Sequence, residues 1–206
     1  QIIKIINREA RRHRFLLKSE NLDSFDKELL TQLLSRQMEE DTITSSLQEL
    51  TEVLEAHFSK KVVVLIDKYD VPLAKAYENG YYDKMVLLIR NLFGNVLKTN
   101  DSLAFAVLTG CLRIAKESIF TGLNNFTVYS ITDEEFDETF GFTDREVQKM
   151  LAYYGLDSHF EEVKAWYDGY RFGTADVYCP WDVVYYCKDH QNNPNAEIKN
   201  YWINTS

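Results

Sequence analysis

Five consecutive apolar residues, Val62-Val63-Val64-Leu65-Ile66, end abruptly in Asp67, and this run constrains the chain more than any other. A continuous β-branched run of this length suits a strand covered on both faces, as in a parallel sheet. Pro72 follows; it cannot join a ladder and marks a loop. Within Tyr82 to Leu97, Met85, Leu88, Ile89, Leu92, Phe93 and Val96 recur at helical spacing. Leu103 to Leu108 is a second buried-type strand, stopping at Thr109-Gly110. Strand, helix, strand over about 45 residues is a βαβ unit, whose crossover is right-handed almost without exception.

Helical patterns precede this unit. Ile2, Ile5, Ile6 and Phe15-Leu16 predict a helix over 2–17, and a second is expected around 25–38. Asp41-Thr42 is placed to cap a third, whose face is Ile43, Leu47, Leu50, Leu54 and Phe58. After the unit, Thr127 to Ile131 reads as a third, weaker strand. The character then shifts to short helices. Thr132-Asp133-Glu134-Glu135, Thr143-Asp144-Arg145-Glu146 and Ser158-His159-Phe160-Glu161 are capping boxes, and Gly155 can end the second of these helices. Pro180 sits at the first turn of a last helix, roughly 180–190. The expected division is an α/β core over 1–131 and a helical lobe over 132–206.

An Asp on the carboxyl tip of a buried strand lies where open α/β sheets bind ligands. Such a carboxylate is rigid, partly desolvated and aimed at the crevice; in ATPases it holds the magnesium that bridges the terminal phosphates. The plainer alternative is an Asp that caps the following loop or helix. An acid directly after it would orient the attacking water, but that position is Lys68, which cannot act as a general base at neutral pH unless its pKa is strongly lowered. Asp70, two residues on, is the candidate substitute. Thr109, at the tip of the neighbouring strand, can donate to a γ-phosphate or to the attacking water. Arg113 and Lys116 can supply charge to phosphates. The alternative for this second segment is a strand end followed by a helix with ordinary surface bases. Trp166 to Gly173 is aromatic and turn-rich, either a packed turn or a surface for a base or a partner peptide.

Several classes are excluded or weakened. No Gly-x-x-x-x-Gly-Lys-Ser/Thr and no dinucleotide glycine fingerprint occurs. The four histidines lack ligand spacing, which argues against zinc. No Gly-x-Ser-x-Gly elbow is present. Net charge is −9, so no overall basic field attracts nucleic acid, though six bases crowd between Lys4 and Lys18; the ordinary reading of such a run is a solvated helix face. Three cysteines without a CxxC pair point to free thiols and a cytoplasmic location, and no apolar run approaches a membrane span. The first residue is not Met, and it opens inside a helical pattern, which predicts further chain upstream.

Four segments together resemble the bacterial AAA-ATPase-like family. They are Val62 to Leu73, Leu108 to Asn125, Trp166 to Phe172 and Tyr201 to Ser206. The resemblance implies a P-loop NTPase-like parallel sheet flanked by helices, followed by a small winged-helix-like lobe. It implies Asp67 as the Walker B carboxylate associated with Mg2+, Thr109 near the sensor position, and a Walker A segment upstream of Gln1. ATP is the implied ligand. Hydrolysis in the intact protein is one expectation. The other is a non-hydrolysing switch that controls a partner or a fused restriction-endonuclease-like nuclease domain, as many family members carry downstream. Members usually have Glu where this chain has Lys68, which favours the switch.

Overall fold

The computed structural model describes residues 2–111, 120, 126–193 and 195–205. The chain divides into two compact units, Gln1–Phe126 and Thr127–Ser206.

The first unit opens with helices α1 (Ile2–Arg12), α2 (Ser24–Leu33) and α3 (Glu40–Phe58). Ile6, Ala10, Leu16, Leu30, Leu33 and Val53 bury together where the three meet. The helix expected over 2–17 breaks at His13, because Arg14–Lys18 tightens into a 3-10 turn that carries Leu16 into this core. The helix expected to reach residue 38 stops at Leu33. Asn7 of α1 donates its side-chain amide to the carbonyls of Leu34 (2.6 Å) and Ser35 (3.1 Å), satisfying groups that a longer helix would otherwise have used. At its other end, Asp23 and Asp26 form a reciprocal capping box. Helix α3 begins at Glu40, so Asp41-Thr42 lies inside it rather than capping it.

Strand β1 (Val62–Ile66), helices α4 (Val71–Glu78) and α5 (Tyr82–Lys98), and strand β2 (Leu103–Leu108) follow. The two strands pair in parallel, with Val63 opposite Phe105 and Ile66 opposite Leu108. Pro72 corrects the loop expected there: it occupies the first turn of α4, where its missing N–H has no helical partner to lose. Val64, Ile66, Leu103, Ala106 and Leu108 pack on Leu73, Ile89, Leu92, Phe93 and Val96. Each fully buried aliphatic or aromatic side chain in such a cluster contributes about 1.5–3 kcal/mol of transfer free energy. The opposite face corrects the expectation of a strand covered on both sides. Val63, Leu65, Phe105 and Val107 are 44%, 73%, 56% and 45% exposed.

The second unit holds α6 (Asp144–Tyr154), α7 (Phe160–Tyr167), strands β3 (Asp168–Phe172) and β4 (Ala175–Tyr178), and α8 (Pro180–Asn192). Thr143 and Glu146 make the expected capping box, and Gly155 ends α6 in the left-handed region at φ 72°. Four expectations change. Thr127 to Ile131 forms no ladder with any described residue. Thr132 to Glu135 starts no helix; Asp133 instead accepts from the Ser130 amide and hydroxyl and closes a turn. Ser158 does not cap α7, which begins at Phe160 after a 3-10 turn over Asp157–His159. Trp166 to Gly173, read as aromatic and turn-rich, instead spans the end of α7 and a strand of an antiparallel hairpin, with Phe172 opposite Ala175. Val147, Leu151, Val163, Tyr178, Val183 and Tyr186 form the core of this unit.

Candidate functional site

The carboxyl ends of β1 and β2 lie side by side, because the strands are parallel and register Ile66 against Leu108. The residue after each strand is therefore presented at one rim. Thr109 N–H donates to Ile66 O (2.9 Å), and Tyr69 N–H donates to Thr109 O (3.0 Å), so the ladder continues one step past the strands. Across this rim Thr109 Oγ1 donates to Asp67 Oδ1 at 2.6 Å. Thr109 Oγ1 also accepts from the Lys68 N–H at 3.4 Å. Asp67 and Lys68 are exposed and Thr109 is half-buried, so the pair stands open to solvent.

Lys68 has φ 59°, in the left-handed region that L residues seldom occupy. The turn that follows brings Asp70 back to the chain that leaves β2. Asp70 is 4% exposed, and its Oδ2 accepts from the Cys111 N–H at 3.0 Å. Its side chain does not cap α4; the Asp70 carbonyl accepts from Leu73 and Ala74 instead. Gly110 lies between the two tips. A Cβ there would stand 2.7 Å from Tyr69 Cε1 and 3.0 Å from Asp70 Oδ1, so this crossing requires glycine. Tyr69 is itself held edge-on by Phe120, with ring centroids 5.4 Å apart.

Of the residues singled out from sequence, the structure brings Asp67 and Thr109 into contact and places Asp70 beside them on Cys111. Arg113 and Lys116 lie outside the described residues. Sequence reasoning missed the Asp70 tie and the close approach at Gly110. The Gly after Thr109 was a visible signal for the second; nothing local announced the first.

Among the described residues no group of three His, Cys, Asp or Glu side chains is placed to hold a metal ion. Magnesium asks less than that, because it keeps several waters and is often held by one or two carboxylates plus substrate phosphates. The Asp67 carboxylate, with one oxygen on Thr109 and its rim open, fits that donor set.

A parallel α/β unit with a carboxylate and a hydroxyl bonded across adjacent strand tips defines an α/β domain whose candidate site lies at the carboxyl rim of its sheet. Residues 3–120 match the AAA-ATPase_like family model, described as "Predicted AAA-ATPase", and the chain belongs to that family. It is also similar to the "Uncharacterized protein in vnfD 5'region" of Azotobacter chroococcum mcd 1, 30% identical over 168 residues. That match covers 76% of this chain and 29% of the relative, so the chain spans less than a third of that protein's length. No solved structure matches the chain. No helix among the described residues is long and apolar enough to cross a membrane.

Proposed function

We propose that the chain is the strand-rim half of a P-loop-type ATP site, with Asp67 and Thr109 facing the terminal phosphates. The observation that carries this reading is the 2.6 Å bond from Thr109 Oγ1 to Asp67 Oδ1 across adjacent parallel strand ends. Asp67 would associate with Mg2+, which when bound bridges phosphate oxygens and neutralises their charge. Thr109 would orient the Asp67 carboxylate, to which its one hydroxyl proton is given. Asp70, buried and tied to the Cys111 amide, is a positioning residue that locks the β1 turn to the chain after β2. Arg113 and Lys116 are proposed to supply further charge toward phosphates. The exposed row Val63, Leu65, Phe105 and Val107 supports a larger sheet with a second covering layer, as a P-loop fold has. The hairpin of β3 and β4 after α7 supports the winged-helix-like reading of the second unit. Free thiols, with Cys111 exposed, support a cytoplasmic setting.

Lys68 favours a second form of the same reading, a nucleotide-held switch with slow turnover that acts on a partner protein or a fused nuclease domain. An ammonium beside the phosphates adds affinity but cannot take a proton from water at neutral pH. The test measures ATP binding and magnesium-dependent turnover on a polypeptide that carries these residues together with any phosphate loop encoded upstream. Asp67→Ala is expected to abolish whatever turnover exists, and turnover indifferent to it removes the enzyme reading. Tight binding with little turnover, raised by Lys68→Glu, supports the switch. No ATP binding at millimolar nucleotide defeats both forms.

A further inference from the structure

One surface of the first unit takes no part in the rim site. Lys4, Arg8, Arg11, Arg12, Arg14 and Lys18 are all exposed, in a chain of net charge −9. The first four lie on α1, and at about 100° of helix rotation per residue they fall within one stripe roughly 100° wide. Ile6 and Ala10 occupy the opposite side and are buried. One carboxylate, Glu9, lies within the run and pairs with Arg12 at 3.0 Å. The other five bases form no ion pair among the described residues. A cleft of about 660 Å³ adjoins the stripe, lined by Arg11, Arg14, Leu17, Thr31 and Leu34, with no carboxylate on its walls.

The basic run carries an exposed aromatic group within it. Phe15 is 53% exposed and stands edge-on to His57 (5.9 Å) and to Phe58 (6.4 Å), which is itself 52% exposed. Phe15 directly follows Arg14 in the chain and keeps half of its ring open to solvent while its edge meets His57 and Phe58.

We propose that this face binds single-stranded nucleic acid, the basic stripe taking phosphates and Phe15 stacking a base. Neighbouring cations on one helix face stand about 5–6 Å apart, a spacing that lets successive side chains reach successive phosphates. The pairing of a cationic track with an exposed aromatic platform is what sequence-tolerant single-strand binding requires. A duplex offers no unstacked base to Phe15. A membrane surface is disfavoured because the apolar side of α1 is already committed to the core, leaving nothing to insert.

The test is fluorescence anisotropy with a labelled oligothymidine of about 20 nucleotides, titrated with the chain at several salt concentrations. Binding that weakens linearly on a log–log salt plot is expected. The triple variant Arg8→Ala, Arg11→Ala, Arg14→Ala should lose at least about tenfold in affinity and flatten the slope by about 2, at about 0.7 per phosphate contact. The matching triple to Lys should keep the slope, which separates loss of charge from loss of fold. Phe15→Ala should weaken binding by about fivefold or more with the slope unchanged. No binding at about 50 mM salt overturns the proposal, as does an Ala triple equal to the parent. A duplex of equal length bound as tightly with Phe15→Ala silent, or a preference for anionic vesicles or polyglutamate over the oligonucleotide, also overturns it.

Discussion

Adding one methyl group at Gly110 and one at Gly94 should move stability in opposite directions. At Gly110 the new Cβ would lie 2.7 Å from Tyr69 Cε1, 2.9 Å from Cδ1 and 3.0 Å from Asp70 Oδ1. Comfortable carbon–carbon contact is about 3.5–4.0 Å, so the overlap approaches 1 Å and something must move. Tyr69 is held against Phe120, and Asp70 is buried and bonded to the Cys111 amide. Moving either one disturbs the join between the strand tips. Overpacking of this kind costs about 1–3 kcal/mol. At Gly94, inside α5, nothing lies within 4 Å of the added Cβ. Alanine there should stabilise by about 0.5–1 kcal/mol through helix propensity. For a unit of this size the expected shifts are a fall of roughly 3–12 °C for Gly110→Ala and a rise of a few degrees for Gly94→Ala. Calorimetry or denaturant titration reads both. In the background Tyr69→Ala, the penalty at Gly110 should shrink by more than half. Equal stability for the two single variants, or a penalty at Gly110 that survives removal of the Tyr69 ring, refutes the argument for a glycine-dependent crossing.

Asp144 should make the second unit acid-sensitive. Burial pushes its carboxyl up, but bonds from Lys164 (2.7 Å) and Tyr178 (2.6 Å) outweigh that and hold it below its ordinary value. A carboxyl lowered in the folded state contributes stability that is complete above its unfolded pKa, about 4, and is lost as pH falls through the folded value. Unfolding midpoints taken from pH 7 down to pH 2 should therefore drop more steeply below about pH 4 for the parent than for Asp144→Asn; parallel curves would contradict this. The thiols should separate in the same way by exposure: Cys111 is exposed, whereas burial pushes the Cys187 thiol up to about 11. Iodoacetamide at pH 8 should label Cys111 within minutes and Cys187 only on global unfolding, as read by peptide mass spectrometry. Comparable rates at both would show that the second core opens locally.

Strands β1 and β2 were legible because their apolar runs are continuous and end in sharp polar tips, and the structure pairs them as neighbours in parallel. Asp67 and Thr109 were legible for the same reason, since a strand end is a sequence-local event. What failed depended on partners far along the chain. The end of α2 is set by Asn7, 27 residues away, whose amide reaches the Leu34 carbonyl. The β-branched run near Thr127 looks like a strand, but no described strand pairs with it. The hairpin over 168–178 hid behind its glycines, because Gly169 and Gly173 read as a turn when only the second, at φ 49°, occupies the bend. Asp70 was the candidate substitute for the missing acid; that its carboxylate is buried and accepts from the Cys111 amide is a long-range tie that no spacing in the sequence reports.

The backbone at Lys68 bears on what that side chain is for. An L residue at φ 59° costs on the order of 1–2 kcal/mol relative to the right-handed region, and Gly or Asn would bear the turn more cheaply. The turn itself is fixed by two amides that converge on Thr109, Lys68 N–H on its hydroxyl and Tyr69 N–H on its carbonyl. Those contacts aim Asp67 at Thr109 and use only backbone atoms of residue 68. The fold therefore demands a conformation at this position but no particular side chain, and least of all a long cationic one. On the proposed reading, what this lysine brings to the position is its charge at the rim. The same logic makes Lys68→Glu a clean perturbation, because both amide contacts use backbone atoms that the substitution leaves unchanged while the charge at the rim is reversed.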